Sequence, residues 1–176
     1  SALAQTHPNL EVLVVNDGST DGGERVVADY PDRRVRLINQ PNAGPGAARN
    51  RGAREAQGEW LAFLDADDEW LPGYLADSLS LAARHGEQAS AVTSGYIECP
   101  AEVSTEPLWR ARGIPQGLFR LTPDMAAARV IHCLAYMSPW STMIRASVFR
   151  RYDGFFEERC LYAEDAFLWL QVLLNE

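Results

Sequence analysis

The apolar run Trp60-Leu61-Ala62-Phe63-Leu64 stops abruptly at Asp65-Ala66-Asp67-Asp68. An uncharged run of this length reads as a buried strand. Carboxylates clustered at its exit repel one another wherever the surroundings are of low dielectric. The simplest way to keep them ionised is a divalent cation with oxygen preference, Mg²⁺ or Mn²⁺. Such an ion commonly bridges to phosphate oxygens. A metal-dependent enzyme acting on a phosphorylated donor is therefore the first expectation.

The flanking sequence alternates strand and helix signals. Residues 11–15 are β-branched-rich and end at Asn16-Asp17-Gly18, a strand followed by a turn. Asp21 with Glu24 three residues later predicts a capping box for a helix that Pro31 ends near residue 30. Residues 35–38 form a second short strand, and 40–46 a Pro/Gly loop. Residues 47–57 predict a helix whose stripe of Ala48, Gly52 and Ala56 suits close packing on a sheet. Pro72 fits the first position of a helix that Gly86 ends. Further strands are predicted at 91–97 and 141–144, and helices at 123–134, 146–151 and 164–174. Residues 99–122 have no period and read as a long loop. Strands alternating with helices imply one α/β domain, a three-layer arrangement with a mostly parallel central sheet. Ligands of such sheets bind beyond the carboxyl ends of the strands, where Asp17 and Asp65 both fall.

Composition removes several classes. With 47% hydrophobic and 23% charged residues, the chain can build a substantial core. A net charge of −8 argues against nucleic-acid partners, which favour a basic face. Cys99, Cys133 and Cys160 form no paired spacing, so reduced thiols in a cytoplasmic setting fit better than a disulfide framework. His7, His85 and His132 have no zinc-type spacing. No apolar run approaches the ~20 residues that span a bilayer, and no signal peptide is visible. Both ends lie inside helix-like segments, which suggests part of a longer protein.

Bland readings stand beside these. Asp65, Asp67 and Asp68 suit a solvated turn capping a helix; Glu164-Asp165 suits a helix start through the dipole. Asp17-Gly18 is a good turn pair anywhere. Gly44-x-Gly46 is not a dinucleotide loop, because Arg49 stands where a third Gly or Ala is needed. Residues 65–77 are no calcium loop, because Trp70 stands where its glycine must be. Arg51 and Arg54 read as a solvated face. The five tryptophans read as packing, with Trp109 and Trp140, in irregular segments, candidates for stacking on a ligand.

Motifs in series resemble one family. Val14-Val15-Asn16-Asp17-Gly18-Ser19-Thr20-Asp21 is similar to the "VVDDGSTD" signature of family 2 glycosyltransferases. Asn42 to Gly52 resembles their "N-x-G-x-x-x-A-R-N-x-G" segment, and Phe63 to Asp68 their "FLDxDD" metal motif. Tyr152 to Glu157 resembles "xxGGFDE", and Glu164-Asp165 the late "ED" motif. The resemblance covers nearly the whole chain in family order. It implies a GT-A (Rossmann-like) fold of nucleotide-diphospho-sugar transferases, with residues 1–98 as the nucleotide-binding half and 99–176 as the half carrying acceptor and base. The implied reaction is an inverting, metal-assisted sugar transfer from a nucleotide-diphosphate sugar to a hydroxyl, in polysaccharide, cell-envelope glycan or glycolipid synthesis.

By the same resemblance, Asp17, Gly18, Ser19, Arg49, Asp65 and Ala66 meet the nucleotide sugar. Asp67 is the first choice for metal contact, with Asp65 sharing the metal or ordering the ribose. Asp68 is a second ligand or a turn cap. Asp165 is the catalytic base, supported by Glu164. The implied location is cytoplasmic, at the inner face of the membrane if segments outside this chain bind there; glycan, lipid-linked and protein acceptors stay open. Asn16 replaces the usual first aspartate, and Phe156 stands where Asp is usual. The family's first strand, with its "P-x-Y-N"-type motif, is absent ahead of residue 1. That keeps a second reading, a truncated or non-catalytic transferase-like binding domain. A haloacid-dehalogenase-type phosphohydrolase would also place Asp-x-Asp after a strand. It expects Thr or Val where Glu69 stands, and a lysine in a chain that has none.

Overall fold

The computed structural model describes residues 1–114, 116–122, 124–156 and 163–176. Glu157 of the fourth motif, Pro123 of a predicted helix and Cys160 lie outside the described residues; Cys99 and Cys133 are free thiols.

Strand β1 (Val12–Asp17) pairs in parallel with β2 (Val35–Gln40), in register from Val12 opposite Val35 to Asp17 opposite Gln40. Helix α1 (Gly23–Ala28) connects them. The predicted capping box does not form. Gly22 adopts φ +82°, which delays the helix, and Asp21 Oδ1 instead accepts from the Gly23 amide at 2.9 Å in a local turn.

Helix α2 (Pro45–Glu55) leads to β3 (Trp60–Ala62). Helix α3 (Tyr74–His85) leads to β4 (Ala91–Thr93). The predicted strand 91–97 is cut at Ser94, whose amide turns to Ser141 O at 3.0 Å. Ile97–Glu98 is a separate strand, β5, paired antiparallel with β6 (Val103–Ser104). The predicted loop 99–122 holds β6 and helix α4 (Glu106–Ala111). Thr105 explains this local order: its Oγ1 donates to Tyr96 O and accepts from Tyr96 N, each at 3.0 Å. Helix α5 (Ala127–Leu134), strand β7 (Thr142–Arg145), α6 (Ala146–Arg151) and α7 (Ala166–Asn175) complete the chain.

β7 lies between β3 and β4 and runs antiparallel to both. β3 and β4 therefore point the same way, with β7 as the reversed member. Among the described residues no strand pairing joins β1 to β3. The α/β class is as expected, and the strand carboxyl ends carry Asp17 and the Asp65 loop.

Helix α3 starts later than Pro72 suggests. Gln5, buried, donates to Leu71 O at 2.8 Å and accepts from the Leu75 amide at 3.0 Å. A distant side chain thus satisfies a helix-start donor that no local residue caps.

Helix α2 joins the two halves. A side chain at Gly52 would meet Val15 at 3.4 Å, so the small stripe does admit β1. Ala53 enters the core of Leu61, Ile144, Phe149, Phe155, Leu168 and Trp169. Asn50, 2% exposed, donates to Phe155 O at 2.7 Å and accepts from Phe155 N at 2.8 Å. It replaces a sheet partner for a corner where Gly154 takes φ +77°. Asn50→Ala strips both Phe155 backbone groups of a partner in a dry site. The expected cost is about 2–3 kcal/mol, a fall in unfolding midpoint of roughly 5–10 °C. A calorimetric midpoint within a degree of the parent would contradict this role.

Candidate functional site

Asp17 stands at the carboxyl end of β1 and is heavily engaged. Its Oδ1 accepts from Gln40 Nε2 at 2.7 Å and Ala43 N at 2.9 Å, and its Oδ2 from Gly44 N at 2.8 Å. The carboxylate thus holds the loop ahead of α2 against the β1 turn. Gly18, at φ +76°, permits that approach, since a Cβ there would lie 2.9 Å from Asn42 N. Asn16 keeps hydrogen bonding in place of the usual aspartate: Oδ1 accepts from Ser19 N at 2.9 Å and Nδ2 donates to Asn39 Oδ1 at 3.0 Å. Ser19 is exposed beside them.

The loop after β3 carries the acidic cluster. Asp68 N donates to Asp65 O at 3.1 Å, closing a turn that leaves Ala66 and Asp67 exposed. Burial first, and then the charges of Asp65 and Asp67, raise the Asp68 pKa. Trp70 anchors the loop by donating from Nε1 to Trp140 O at 2.9 Å and packing on Tyr74 at 5.0 Å.

Arg49, on α2, reaches this loop. Its Nη2 donates to both Asp65 oxygens, at 2.8 and 3.0 Å. Its Nη1 donates to Glu164 Oε1 at 2.5 Å, and its guanidinium carbon sits 5.6 Å from the Phe155 ring centroid. Burial opposes the charge, but the bonds to Asp65 and Glu164 outweigh it and raise the Arg49 pKa. The sequence motifs named Arg49, Asp65 and Glu164 separately and gave no sign that one guanidinium joins them. A weaker signal was Gly46 in the second motif. A Cβ there would strike Phe156 O at 2.3 Å, so the Phe156 backbone crosses α2 at that point. Phe156 N in turn donates to Glu164 O at 3.1 Å.

Asp165 takes the N-cap position of α7 but makes no cap hydrogen bond with its side chain. Its Oδ2 accepts from Trp169 Nε1 at 3.3 Å. Burial, then the Glu164 charge, raise its pKa against the opposing pull of its own backbone amide, Trp169 and Arg49. The arrangement therefore brings Asp65, Arg49, Glu164 and Asp165 to one place, with Asp67 and Asp68 on the Asp65 turn. Asp17, Gly18 and Ser19 stand at the β1 end, and among the described residues no hydrogen bond or ion pair joins them to the Arg49 group.

Among the described residues no group of three or more His, Cys, Asp and Glu converges on a metal position. The chemistry of the donor set still suits a hard cation. Asp67 is exposed, Asp65 and Asp68 stand on the same turn, and such ions commonly take only one or two carboxylates and draw other ligands from substrate phosphates. A cavity of about 560 Å³ lies elsewhere, along β4, with Trp109, Phe119, Tyr136 and Leu173 in its walls and none of these site residues.

Acidic strand ends and a carboxylate at a late helix start are where the motif resemblance expects them. The model of glycosyl transferase family 2 matches residues 1–151, and the chain belongs to that family. The uncharacterized glycosyltransferase YibD of Escherichia coli (strain K12) is 31% identical over 153 residues, 86% of this chain and 43% of its own length. The succinoglycan biosynthesis protein ExoO of Rhizobium meliloti (strain 1021) is 47% identical over 89 residues, 50% of this chain and 26% of its own. The solved structure of S. aureus TarS 1-349 in complex with UDP-GlcNAc matches with TM-score 0.69 at 25% identity, over 96% of this chain and 46% of that one. The fold is of the GT-A type. The chain spans less than half the length of each of these relatives.

The Asp165 environment has a consequence for stability. A folded pKa above the unfolded value of about 3.9 means that folding favours the protonated acid. That contribution is complete below the unfolded pKa and is lost as pH rises through the folded one. At neutral pH the ionised group is a net cost. Asp165→Asn should therefore unfold at a higher temperature than the parent at pH 7, with the gap closing near pH 4. An equal or lower midpoint at pH 7 would show that Asp165 is not held against its charge.

Proposed function

We propose that this domain catalyses inverting transfer of a sugar from a nucleotide-diphosphate sugar to an acceptor hydroxyl. The observation that carries the reading is Asp165. It is a carboxylate at a helix start that caps nothing, whose burial favours proton uptake, and which is tied through Glu164 and Arg49 to the acidic loop. Such a group is suited to act as general base. Family membership, and a 25%-identical relative solved with UDP-GlcNAc, support the donor class.

In this mechanism Asp165 takes the proton of the acceptor hydroxyl. The acceptor oxygen forms a bond to the anomeric carbon as the bond from that carbon to the diphosphate oxygen breaks. The electron pair leaves on the diphosphate, and attack from the opposite face inverts the configuration. Asp67, with Asp65 or Asp68 beside it, would hold Mg²⁺ or Mn²⁺. When bound, that ion supplies charge neutralisation for the leaving diphosphate. Asp17, Gly18 and Ser19 would line the nucleotide end, with Asp17 also fixing the loop that borders it.

Likeness to a succinoglycan biosynthesis protein favours a glycan or lipid-linked acceptor in polysaccharide or envelope synthesis. The work would be cytoplasmic, at the inner membrane face where a lipid-linked acceptor is used. Among the described residues no helix is long and apolar enough to cross a membrane. No strand pairing among the described residues joins β1 to β3, which favours a second reading, a transferase-like domain that does not bind donor by itself.

Calorimetric titration of UDP, GDP, dTDP and CDP, with and without Mn²⁺, separates the two. Mn²⁺-dependent binding of one nucleotide is expected, weakened about tenfold or more, or about 1.4 kcal/mol, in Asp67→Asn. Absence of binding by folded protein would favour the second reading; unchanged Mn²⁺-dependent affinity in the variant would remove Asp67 from the metal site.

A further inference from the structure

We infer that Trp169 is a positioning residue for the proposed base: its buried indole N–H holds Oδ2 of Asp165, so that Oδ1 is the oxygen that takes the acceptor proton. This rests on the transferase reading above.

The start of α7 departs from an ordinary aspartate cap. An N-cap residue normally takes extended backbone angles and turns its carboxylate onto the first free amides of the helix. Asp165 instead has φ −86° and ψ −32°, inside the helical range, and its side chain caps none of them. With helical angles it behaves as an interior helix residue, whose side chain meets the one four positions on. That residue is Trp169, and its Nε1 donates to Asp165 Oδ2 at 3.3 Å. An indole has one N–H and no acceptor. At 0% exposure it needs a partner inside the protein. A backbone carbonyl would serve a purely structural tryptophan. Here the partner is a carboxylate whose burial, beside Glu164, works against its own charge. The pairing costs stability in the free protein, and what results is a carboxylate of fixed rotation.

The indole is itself fixed. Its ring packs edge-on against Phe155, with centroids 5.7 Å apart and planes at 87°. Asn50 holds the Phe155 backbone from α2. Phe155 also meets Phe63 edge-on at 4.9 Å, and Phe63 stands two residues ahead of Asp65. The aromatic series Phe63, Phe155 and Trp169 thus runs from the foot of the acidic loop to Asp165. The same hydrogen bond bears on protonation, because a donor on a carboxylate favours its ionised form. Glu164 at the start of α7 and Arg49 from α2 are the charged groups among the described residues that act on Asp165, in opposite directions. Trp169 adds to the Arg49 side without a charge of its own, and so limits how far the pKa climbs.

The test removes the N–H and keeps a ring. Trp169→Phe does so with a smaller side chain. Trp169→benzothienylalanine, placed by nonsense suppression, puts sulfur where the N–H was at nearly the same volume. Each is made in the parent and in Asp165→Asn. Two quantities are followed over roughly pH 4 to 9: the unfolding midpoint without divalent cation, and the kinetics of UDP release from UDP-GlcNAc with Mn²⁺. The folded pKa of Asp165 lies above the unfolded one, so its stabilising contribution is lost as pH rises through it. Removing the donor raises the folded value further. The acid limb of kcat should therefore move up by about 1 pH unit, and the midpoint should fall more with rising pH than in the parent. At neutral pH kcat should drop roughly 10- to 100-fold, with donor KM nearly unchanged. In Asp165→Asn neither substitution should alter the pH dependence of the midpoint. An acid limb and a midpoint curve unmoved by Trp169→benzothienylalanine would overturn the inference, as would a raised donor KM with kcat preserved. That variant keeps the test decisive if Trp169→Phe does not fold. If the parent neither binds nor turns over the nucleotide sugar, the transferase reading fails by itself, and the Asp165-dependent midpoint curve still decides whether Trp169 holds the carboxylate.

Discussion

A guanidinium leaves water at a cost that only well-aligned anions offset, and the arrangement of this domain follows from how Arg49 meets that condition. Asp65 and Glu164 come from distant parts of the chain, and both pair with it. Their side chains are 31% and 15% exposed, against 13% for Arg49. The group therefore lies at the rim of the core, where desolvation is incomplete and charge-assisted bonds retain much of their strength. One residue further along α2, Asn50 satisfies the Phe155 backbone. Gly52 admits β1, and Ala53 fills the core. A single helix turn thus couples the parallel pair, the mixed sheet and the start of α7.

Charge is distributed unequally around this bridge. On one side Asp65, Asp67 and Asp68 share a short turn, where burial first and then the two neighbouring charges raise the Asp68 pKa. On the other, Asp165 is burdened by burial and by its neighbour Glu164. Both conditions cost stability in the free protein. Both are relieved by the events proposed for the reaction: a cation and diphosphate at the acidic turn, and a proton arriving at Asp165. Carboxylates that are uncomfortable alone are a familiar property of sites tuned for acid–base work.

Strong local signals survived folding. The predicted strands 11–15 and 35–38 fall in the parallel pair Val12–Asp17 and Val35–Gln40, while of the apolar run 60–64 only Trp60–Ala62 is strand, with Phe63 and Leu64 between it and the acidic cluster. The Ala48-Gly52-Ala56 stripe predicted a close helix–sheet approach, and Gly52 against Val15 provides it. The failures share one cause. The capping box at Asp21, the helix start at Pro72 and the strand 91–97 were each read from neighbours in sequence. Each was settled by the positive φ of Gly22, by Gln5 reaching α3, or by Ser141 drawing Ser94 away. Thr105 likewise ordered a segment without period.

By itself the sequence determined the alternation of strands and helices, the acidic strand exit and the ordered motifs of family 2 glycosyltransferases. Periodicity and turn chemistry act over a few residues and are written locally. Tertiary structure alone decided that Asp17 clasps its own loop, that β7 runs backwards between β3 and β4, and that Arg49 joins Asp65 to Glu164. Those outcomes depend on which partners a polar group finds after collapse. Hydrogen bonds between residues 115 positions apart leave no trace in spacing or period.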